Sequence, residues 1–389
     1  MASRVEQDYP DYGIKQFLPA FNRARVARMR FPMAYDPDKH GEFESWRNEA
    51  RDLLFDHLGD APPECAFDPK TIEEEDRGTH IARKFAFNVS ADCRVPGYLL
   101  IPKGEGPFPA ILGLHDHGGH FSIGKEKLVR PFLVEDAVLE DAVSWTGKCY
   151  GGEFVGDRLA ARGYVVLVID ALLWGERGCY EDRPHDETGE ERPLMKKYKR
   201  SGPYETQERL AANLFQLGMS WCGLIVWDDL RSLEYLSSLP EVDAERIGAV
   251  GLSVGAHRTW MLAAASDRIK AGAAICWMCT TAALQVEGNN QPGGASSYSM
   301  ILPGLMNHLD YPDVASIACP KPMLFYAGSE DKLFPVDGVN DAYQRMRRVW
   351  DCRDAGDDLV TGIWHAPHEF NREMQVRAFD WMDMQLGRE

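Results

Sequence analysis

Ser253 lies at the centre of a G-x-S-x-G pentapeptide, with Gly251 before it and Gly255 after it. Residues 246–250 are predicted to form a short buried strand, and residues 256–265 a helix. A serine in the tight turn between them has a strained backbone and needs small neighbours. It also lies at a helix N-terminus, where partial positive charge favours a developing anion. The segment therefore predicts a serine nucleophile.

A carboxylate and a histidine follow this serine along the chain. A strand predicted over residues 321–328 leads to Asp331, and a last strand over residues 358–364 leads to the loop that carries His368. In acyl transfer, a histidine takes the proton of the serine hydroxyl, and a carboxylate fixes the imidazole tautomer. The sequence therefore predicts Ser253 as nucleophile, His368 as general base and then acid, and Asp331 as the orienting carboxylate.

Each of these assignments has an alternative in the sequence. Ser253 could serve only as a helix cap, but the paired glycines and the downstream partners favour the nucleophile. Glu330 adjoins Asp331, and we favour Asp331 because a shorter side chain holds an imidazole more tightly. His365 directly follows the strand, and we favour His368 because it lies further into the loop, where a mobile base is usually found.

A histidine- and glycine-rich loop follows a third predicted strand, over residues 109–115, and extends to His120. Acyl transfer needs two backbone N–H groups directed at the developing oxyanion. One is expected from Val254, the residue after the nucleophile. The other is expected from this loop, with His117 as the first candidate and Gly118 as the second.

Metal ligation is an alternative function for the same loop. Three histidines and one aspartate fall between His115 and His120, a density typical of metallohydrolases. We disfavour a metal because the serine chemistry already accounts for this strand end and other ligand candidates are scattered. Cys276 and Cys279 lie in an apolar run and are interpreted as small buried hydrophobic residues. No metal or cofactor is expected.

A wider set of residues matches a known superfamily. They are His115, Asp116, His117, Gly118, Gly119, residues 124–127, Asp170, residues 175–177, residues 251–255, Arg258, Trp260, residues 267–271, Pro303, Gly304, residues 313–315, Asp331, Phe334, Pro335 and residues 368–370. In these positions the chain resembles the α/β-hydrolases, specifically the dienelactone hydrolase and acetyl xylan esterase-like group. The resemblance covers most of the chain from about residue 80 and implies ester hydrolysis by Ser253, Asp331 and His368. True dienelactone hydrolases use a cysteine nucleophile, so the serine departs from that pattern and leaves the substrate open.

The predicted fold is α/β, with a mostly parallel twisted sheet flanked by helices, a helical N-terminal extension and loop insertions. Residues 1–75 are predicted to form the extension, in which residues 43–58 show helical spacing of apolar side chains. Residues 76–389 are predicted to form the catalytic domain. It begins with a hairpin over residues 79–102 and continues with alternating strands and helices, which favour a site at the strand C-terminal ends.

Two insertions, residues 127–150 and residues 178–205, are expected to act as lids or binding walls over those strand ends. A solvated surface excursion is the alternative for the basic run inside the second. The candidate substrate-contacting residues are His115, Trp145, Trp174 and Arg258. Tryptophan offers a flat surface to a sugar ring but is more often core, and Arg258 is also a candidate structural bridge from the nucleophile's helix.

The composition restricts the partners. The 389-residue chain has 43 Lys and Arg against 60 Asp and Glu, a net charge of −17, which disfavours nucleic acids and anionic membranes. No apolar run is long enough to span a membrane, and the N-terminus has no apolar signal-peptide core. Nine cysteines without regular spacing favour reduced thiols and a cytoplasmic location. A homo-oligomer is compatible with the sequence.

Together these features predict a serine carboxylic-ester hydrolase that acts through an acyl-enzyme. Short acyl groups, such as acetyl groups on carbohydrates, are the expected substrates on the strength of the resemblance. The same three residues can also cleave an amide, a thioester or an activated carbon–carbon bond, so these reactions stay open. A non-catalytic binding protein on the same fold is the alternative from another functional class.

Overall fold

The computed structural model describes residues 17–178, 202–285 and 298–387. The strands are β1 (Lys70–Asp76), β2 (His80–Ser90), β3 (Cys93–Pro102), β4 (Phe108–Leu114), β5 (Val165–Ile169), β6 (Val242–Leu252), β7 (Ile269–Ile275), β8 (Met323–Gly328) and β9 (Leu359–Trp364). The helices are α1 (Phe17–Arg28), α2 (Pro37–His40), α3 (Phe43–Leu58), α4 (Asp136–Cys149), α5 (Val155–Ala161), α6 (Gly202–Gln216), α7 (Trp221–Ser237), α8 (Val254–Ala265), α9 (Thr281–Leu284), α10 (Tyr311–Ser316), α11 (Val336–Asp351) and α12 (Arg372–Gln385). Short 3-10 helices lie at Lys125–Lys127, Gly175–Arg177, Tyr298–Met300, Leu305–Asn307 and Gly356–Asp358.

The strands form one nine-stranded sheet in the order β1-β2-β3-β5-β4-β6-β7-β8-β9. The neighbouring pairs β1–β2, β2–β3 and β3–β5 are antiparallel. The pairs β5–β4, β4–β6, β6–β7, β7–β8 and β8–β9 are parallel. After β4, the chain forms β5 on one side of β4 and then crosses over to form β6 on the other side of β4. The loops after β4 and β6 therefore flank a topological switch point, where α/β sheets bind their ligands.

The central strands are hydrophobic because helices cover both faces of the sheet. β5 has the sequence VVLVI and every residue in it is buried, as expected for a parallel strand that is enclosed on both sides. Helix α8 is also buried along its whole length. The predicted α/β fold, with a mostly parallel sheet between helices, is confirmed.

The N-terminal extension is only partly helical. α3 has the predicted bounds, and its Trp46 and Leu54 are buried in the same hydrophobic core as the sheet. β1, by contrast, lies within the predicted extension and pairs with β2, so the sheet begins before residue 76. Sequence analysis missed this strand because all its residues are exposed and they show no apolar alternation. Main-chain hydrogen bonds to β2 hold it in place.

The two predicted insertions differ in what can be described. The first, over residues 127–150, contains α4, which packs beside the loop that follows β4. In the second, residues 179–201 lie outside the described residues. Within the described part of the chain, no single helix has the length and apolar character to cross a membrane. One pair bent by 86°, Gln207–Gln216 with Trp221–Ser237, passes that test only when its two helices are taken together.

Candidate active site

Ser253 occupies the turn between β6 and α8 with backbone angles of φ 57° and ψ −122°. A positive φ is uncommon for a residue other than glycine and marks stored strain. The two flanking glycines are required by close packing. A Cβ on Gly255 would lie 1.9 Å from the carbonyl oxygen of Leu114, and one on Gly251 would lie 2.3 Å from the backbone of Gly255. The motif therefore keeps its glycines for steric reasons.

The backbone around Ser253 is held on both sides. Its N–H donates to the carbonyl of Ile275 at 2.8 Å, and its own carbonyl accepts from His257 at 3.0 Å within the first turn of α8. Val254 is the first helical residue. N–H groups in a helix's first turn have no partner inside the helix and carry partial positive charge. The Val254 N–H is thus suited to an anion formed beside the serine.

His368 and Asp331 form a tight, shielded pair. Nδ1 of His368 lies 2.6 Å from Oδ2 of Asp331, and the side chains are 24% and 1% exposed. Oδ1 of Asp331 accepts a hydrogen bond from the Leu333 N–H at 2.8 Å, which fixes the carboxylate. When the Nδ1–H group donates this hydrogen bond to Asp331, Nε2 carries no proton and is the basic nitrogen. The ring also stacks on Phe334, with a centroid distance of 6.0 Å.

Backbone hydrogen bonds join the loops that carry these two residues. The Ser329 N–H donates to the Trp364 carbonyl at 2.7 Å, and the Glu330 N–H donates to the Ala366 carbonyl at 3.0 Å. Both loops follow adjacent parallel strands, β8 and β9. The position of His368 relative to Asp331 is therefore set by the sheet register rather than by long side chains.

The two alternative residues, His365 and Glu330, lie together at the surface. Their side chains are 88% and 55% exposed, and Nε2 of His365 is 3.6 Å from Oε1 of Glu330. The structure thus separates two acid–histidine pairs within the same two loops. Only the His368–Asp331 pair is shielded from water.

Cys276 connects the serine side of the site to the histidine side. It directly follows Ile275, whose carbonyl holds the Ser253 N–H, and its thiol donates to the Glu369 carbonyl at 3.6 Å. Burial raises the pKa of this thiol. Cys276, Asp331 and His368 offer ligand atoms that lie within 4.8 Å of one another, but the raised pKa of the thiol disfavours the thiolate that a metal ion would bind. Cys279 is also buried and its pKa is raised to about 12, mainly by burial.

The three histidines of the loop after β4 have three different surroundings. Nε2 of His115 accepts from the Ala171 N–H at 3.1 Å. His117 and His120 bond instead to Gln207 at 3.2 Å and Asp141 at 2.6 Å. In the described part of the chain these histidines do not converge into a group of three metal ligands. The geometry therefore does not favour the metallohydrolase alternative.

His117 is held as a neutral ring. Its Nδ1 accepts from the Gly119 N–H at 2.9 Å, which leaves the Nε2 proton for Oε1 of Gln207. Burial lowers the pKa of His117 to about 4, and the nearby Lys127 charge acts in the same direction. The side chain therefore anchors the loop, and the contribution expected from His117 to catalysis is its backbone N–H.

Sequence analysis missed the polar residues that support this loop. The Asp116 carboxylate accepts from the Tyr150 hydroxyl at 2.6 Å and from Nε1 of Trp145 at 3.1 Å. The Lys127 ammonium donates to the backbone carbonyls of Asp116 at 2.8 Å and of His117 at 3.0 Å. Asp116 and Lys127 are among the residues of the family resemblance, but a buried position cannot be read from that resemblance.

The four residues predicted to contact substrate are all buried, and their contact with substrate stays a prediction. His115 and Trp174 are 0% exposed, Arg258 is 2% and Trp145 is 6%. The tryptophans donate to groups of the loop after β4: Trp174 binds the His117 carbonyl at 3.2 Å. Arg258 forms a two-pronged ion pair with Asp229, with distances of 2.8 and 2.6 Å, and so bridges α8 to α7. These side chains therefore support the loop after β4 and helix α8.

A second cluster of charges, in which Lys125, Glu126 and Asp170 are buried and Glu176 is partly exposed, lies near the same loop. Lys125 places its ammonium 2.6 Å from Glu126, 2.8 Å from Asp170 and 2.7 Å from Glu176. These three carboxylates offer ligand atoms within 4.8 Å of one another, as a cation site would, and the lysine supplies the positive charge. The cluster ties the 3-10 helix after the β4 loop to the segment that follows β5.

Comparison with known proteins agrees with this architecture. A protein of Bacillus subtilis (strain 168) named "Putative hydrolase YtaP" is 28% identical over 312 residues, which span 80% of this chain and 90% of that protein. The crystal structure of a putative acetyl xylan esterase from Bacteroides fragilis superposes with a TM-score of 0.66 at 20% identity, covering 90% of this chain and 83% of the other. A glucuronoyl esterase from Solibacter usitatus superposes with a TM-score of 0.63 at 13% identity, covering 92% and 99%.

Residues 20–351 match the profile of the Abhydrolase family, which is most of the chain. The chain therefore belongs to the Abhydrolase family and is a hydrolase of that family. The resemblance to α/β-hydrolases is confirmed, and two solved structures of similar fold are those of a putative acetyl xylan esterase and a glucuronoyl esterase.

Proposed function

We propose that this Abhydrolase-family hydrolase is a serine carboxylic-ester hydrolase that works through an acyl-enzyme. The observation that carries the proposal is the strained Ser253 at the start of a helix, combined with the 2.6 Å contact between His368 and Asp331. A helix cap would not need the positive φ of Ser253. A surface ion pair would not need the shielding of Asp331, whose side chain is 1% exposed.

In acylation, Nε2 of His368 takes the proton from the hydroxyl of Ser253 as Oγ attacks the ester carbonyl carbon. Asp331 accepts a hydrogen bond from the Nδ1–H of His368, whose proton stays on the ring, and stabilises the imidazolium that forms. The carbonyl electrons move onto its oxygen, which accepts hydrogen bonds from the N–H groups of Val254 and His117. When the intermediate collapses, the carbon–oxygen bond to the alcohol breaks and His368 returns the proton to the leaving alkoxide.

Deacylation repeats these roles with water in place of the alcohol. His368 removes a proton from water, and the resulting hydroxide attacks the acyl carbon of the Ser253 ester. The oxyanion lies again at the Val254 and His117 N–H groups. Collapse releases the carboxylic acid and returns the proton to Ser253, so the enzyme is regenerated without a cofactor.

We propose short acyl esters, especially acetyl groups on carbohydrates, as the substrate class. Support comes from the family membership and from the similar folds of a putative acetyl xylan esterase and a glucuronoyl esterase. In an acetylated sugar, the carboxylic acid of the ester is the small acetic acid and the sugar is the alcohol. In a glucuronoyl ester, the sugar itself supplies the carboxylic acid. Substrates of both types therefore belong in the same test.

The test compares the hydrolysis of p-nitrophenyl acetate, p-nitrophenyl octanoate, acetylated xylan and a methyl glucuronate ester by the wild type and by Ser253→Ala. We expect the wild type to prefer acetyl esters and the variant to lose at least about 10⁴-fold in kcat. Equal activity in both proteins would reject Ser253 as the nucleophile. Activity on the glucuronate ester alone would keep the nucleophile and overturn the acyl class.

Amides, thioesters and compounds with an activated carbon–carbon bond are alternative substrates, since the same three residues can cleave these bonds. A chromogenic anilide and a thioester of acetate separate these from oxygen esters. A binding role on the same fold predicts that Ser253 stays unmodified by fluorophosphonates while ligands still bind.

A further inference from the structure

Lys127 is an unusual residue to find inside a protein. Its side chain is 0% exposed, although an isolated buried ammonium is costly and lysine is almost never fully buried without a partner. The nearest carboxylate oxygen, Oδ2 of Asp116, is 3.5 Å away, which is long for an ion pair. The two short contacts go instead to main-chain carbonyls, those of Asp116 at 2.8 Å and His117 at 3.0 Å.

These two carbonyls belong to the peptide groups that carry the candidate oxyanion donors. The carbonyl of Asp116 shares its peptide unit with the N–H of His117. The carbonyl of His117 shares its peptide unit with the N–H of Gly118. A cation that binds a peptide oxygen draws electron density from the whole amide group, so the N–H on the other side becomes a stronger donor. Lys127 is therefore placed to act on both candidate donors at once.

We propose that Lys127 is a positioning residue of the oxyanion hole, which orients and polarises the peptide groups of His117 and Gly118. The inference rests on the proposed function, because it assigns a role within that reaction. As negative charge develops on the substrate oxygen, the polarised N–H groups stabilise it more than unassisted amides would. The lysine touches neither the substrate nor the reacting atoms.

The surroundings of Lys127 favour this role over simple structural support. Lys125, two residues earlier, has three carboxylate partners at 2.6 to 2.8 Å, so its charge is paired with side-chain carboxylates. Lys127 instead directs its charge to peptide oxygens, and Nε1 of Trp174 adds a neutral donor to the His117 carbonyl at 3.2 Å. Burial lowers the pKa of Lys127, which is the cost of holding an ammonium there.

The chain offers a matched control at the far end of α8. Lys321 also donates to two main-chain carbonyls, those of Ala263 and Ser266, both at 2.7 Å, and its side chain is only 12% exposed. These carbonyls lie at the C-terminal end of the helix, away from Ser253. A variant of Lys321 thus removes a comparable lysine without changing the peptides beside the nucleophile.

The experiment compares the wild type, Lys127→Met, Lys127→Gln and Lys321→Met. For each protein, kcat and KM are measured on p-nitrophenyl acetate, together with inhibition constants for trifluoroacetophenone and acetophenone. The trifluoro ketone forms a hemiketal oxyanion with the serine, whereas acetophenone binds without this charge. Thermal unfolding of each protein reports the structural cost separately.

We expect Lys127→Met to lower kcat by about 10- to 100-fold, somewhat less than the loss of a whole oxyanion donor, with KM changed less than about threefold. The affinity for trifluoroacetophenone should fall by a similar factor while that for acetophenone stays the same. Lys127→Gln keeps a neutral N–H donor, so its kcat and its affinity for trifluoroacetophenone should lie between those of the wild type and those of Lys127→Met. Lys321→Met should lower the unfolding temperature without changing kcat or the trifluoro ketone affinity.

The inference is overturned if a folded Lys127 variant keeps the wild-type affinity for trifluoroacetophenone, or if both ketones weaken equally. If both Lys127 variants fail to fold, Trp174→Phe removes one of the neutral donors to the His117 carbonyl, the other being the His120 N–H at 3.3 Å. A smaller loss of the same selective kind is then expected, and its absence would also reject the proposal. Failure of the proposed function is distinguishable, because it shows either as a wild type without ester hydrolysis or as a Ser253→Ala variant with wild-type activity.

Discussion

Two acid–histidine pairs lie within the same two loops of this protein and differ in almost every physical respect. His368 and Asp331 are 2.6 Å apart, and the carboxylate is 1% exposed. His365 and Glu330 are 3.6 Å apart, and both side chains are more than half exposed to solvent. Residue type and sequence position are nearly the same for the two pairs, so surroundings alone separate them.

The comparison shows what makes an acid–histidine pair useful for catalysis. Water and salt screen a surface pair, which contributes little and leaves both side chains mobile. In the shielded pair, the Leu333 N–H holds the carboxylate at 2.8 Å and the carboxylate then holds the ring. One tautomer and one orientation result, and Nε2 is left as an available base.

The largest expected effect comes from removing each histidine in turn. His368→Ala should lower kcat on p-nitrophenyl acetate by about 10⁴- to 10⁶-fold, because the serine loses its base. His365→Ala should stay within about twofold of the wild type, because an exposed side chain is not part of this chemistry. Steady-state kinetics of both variants at neutral pH give the measurement. A large loss in His365→Ala with an active His368→Ala would reverse the assignment.

The two acids provide the next comparison. Asp331→Asn should lower kcat by about 10³- to 10⁴-fold, because the amide no longer stabilises the imidazolium or favours the required tautomer. Glu330→Gln serves as the matched control and should leave kcat and KM nearly unchanged. Measuring kcat and KM for both shows whether the loss lies in the chemical step. Comparable losses for the two variants would show that shielding does not distinguish the acids.

Stability should follow the same contrast between buried and exposed pairs. Arg258→Met leaves the carboxylate of Asp229 buried without its partner, and should lower the free energy of unfolding by about 3–5 kcal/mol. The pair of Lys270 with Glu245 has a distance of 2.9 Å but side-chain exposures of 35% and 83%, so Lys270→Met should cost no more than about 1 kcal/mol. Urea unfolding of both variants at pH 7 is the measurement. Equal costs would contradict the contrast.

The smallest expected effect concerns pH and the buried His117. Because burial lowers the pKa of His117 from 6.5 to about 4, the unfolded chain takes up a proton that the folded chain refuses as the pH falls between these values. The stability contributed by the neutral ring is present above pH 6.5 and is lost progressively down to about pH 4. Between pH 7 and pH 5 this loss amounts to about 2 kcal/mol.

Urea unfolding at pH 7 and pH 5 tests this effect. His117→Gln cannot titrate, so its free energy of unfolding should fall by about 2 kcal/mol less than that of the wild type over this interval. His365→Gln is the control and should follow the wild type, since the His365 side chain is 88% exposed and water screens its contact with Glu330. The same pH dependence in all three proteins would show that His117 is protonated inside the fold.

Sequence alone is sufficient to predict the strand–turn–helix around Ser253 because each of its parts is local. A buried strand, two glycines and an apolar helix leave a pattern that is visible within about twenty residues. Serine, aspartate and histidine follow in this order along the chain, and each comes after a predicted strand. This order predicts the α/β fold. By contrast, β1 has the exposed sequence KTIEEED, and only its partner strand β2 makes it a strand.

The polar support of the loop after β4 was not predictable for a different reason. Lys127 and Asp116 are charged, and charged residues are normally assigned to the surface. Their burial depends on Trp145, which lies in α4, and on Tyr150, the residue after α4. Both side chains donate to the carboxylate of Asp116. Likewise, Trp145 and Trp174 offer no sign in the sequence that their N–H groups face inward. Such long-range contacts appear only in three dimensions.

The most direct test of the central claim is to trap the nucleophile. The wild type, Ser253→Ala, His368→Ala and His365→Ala are treated with a fluorophosphonate, and the modified residue is identified by mass spectrometry of peptides. The account predicts rapid labelling of Ser253 in the wild type and in His365→Ala, much slower labelling in His368→Ala, and none in Ser253→Ala. Labelling at another residue, or ester hydrolysis by an unlabelled and fully active protein, would contradict it.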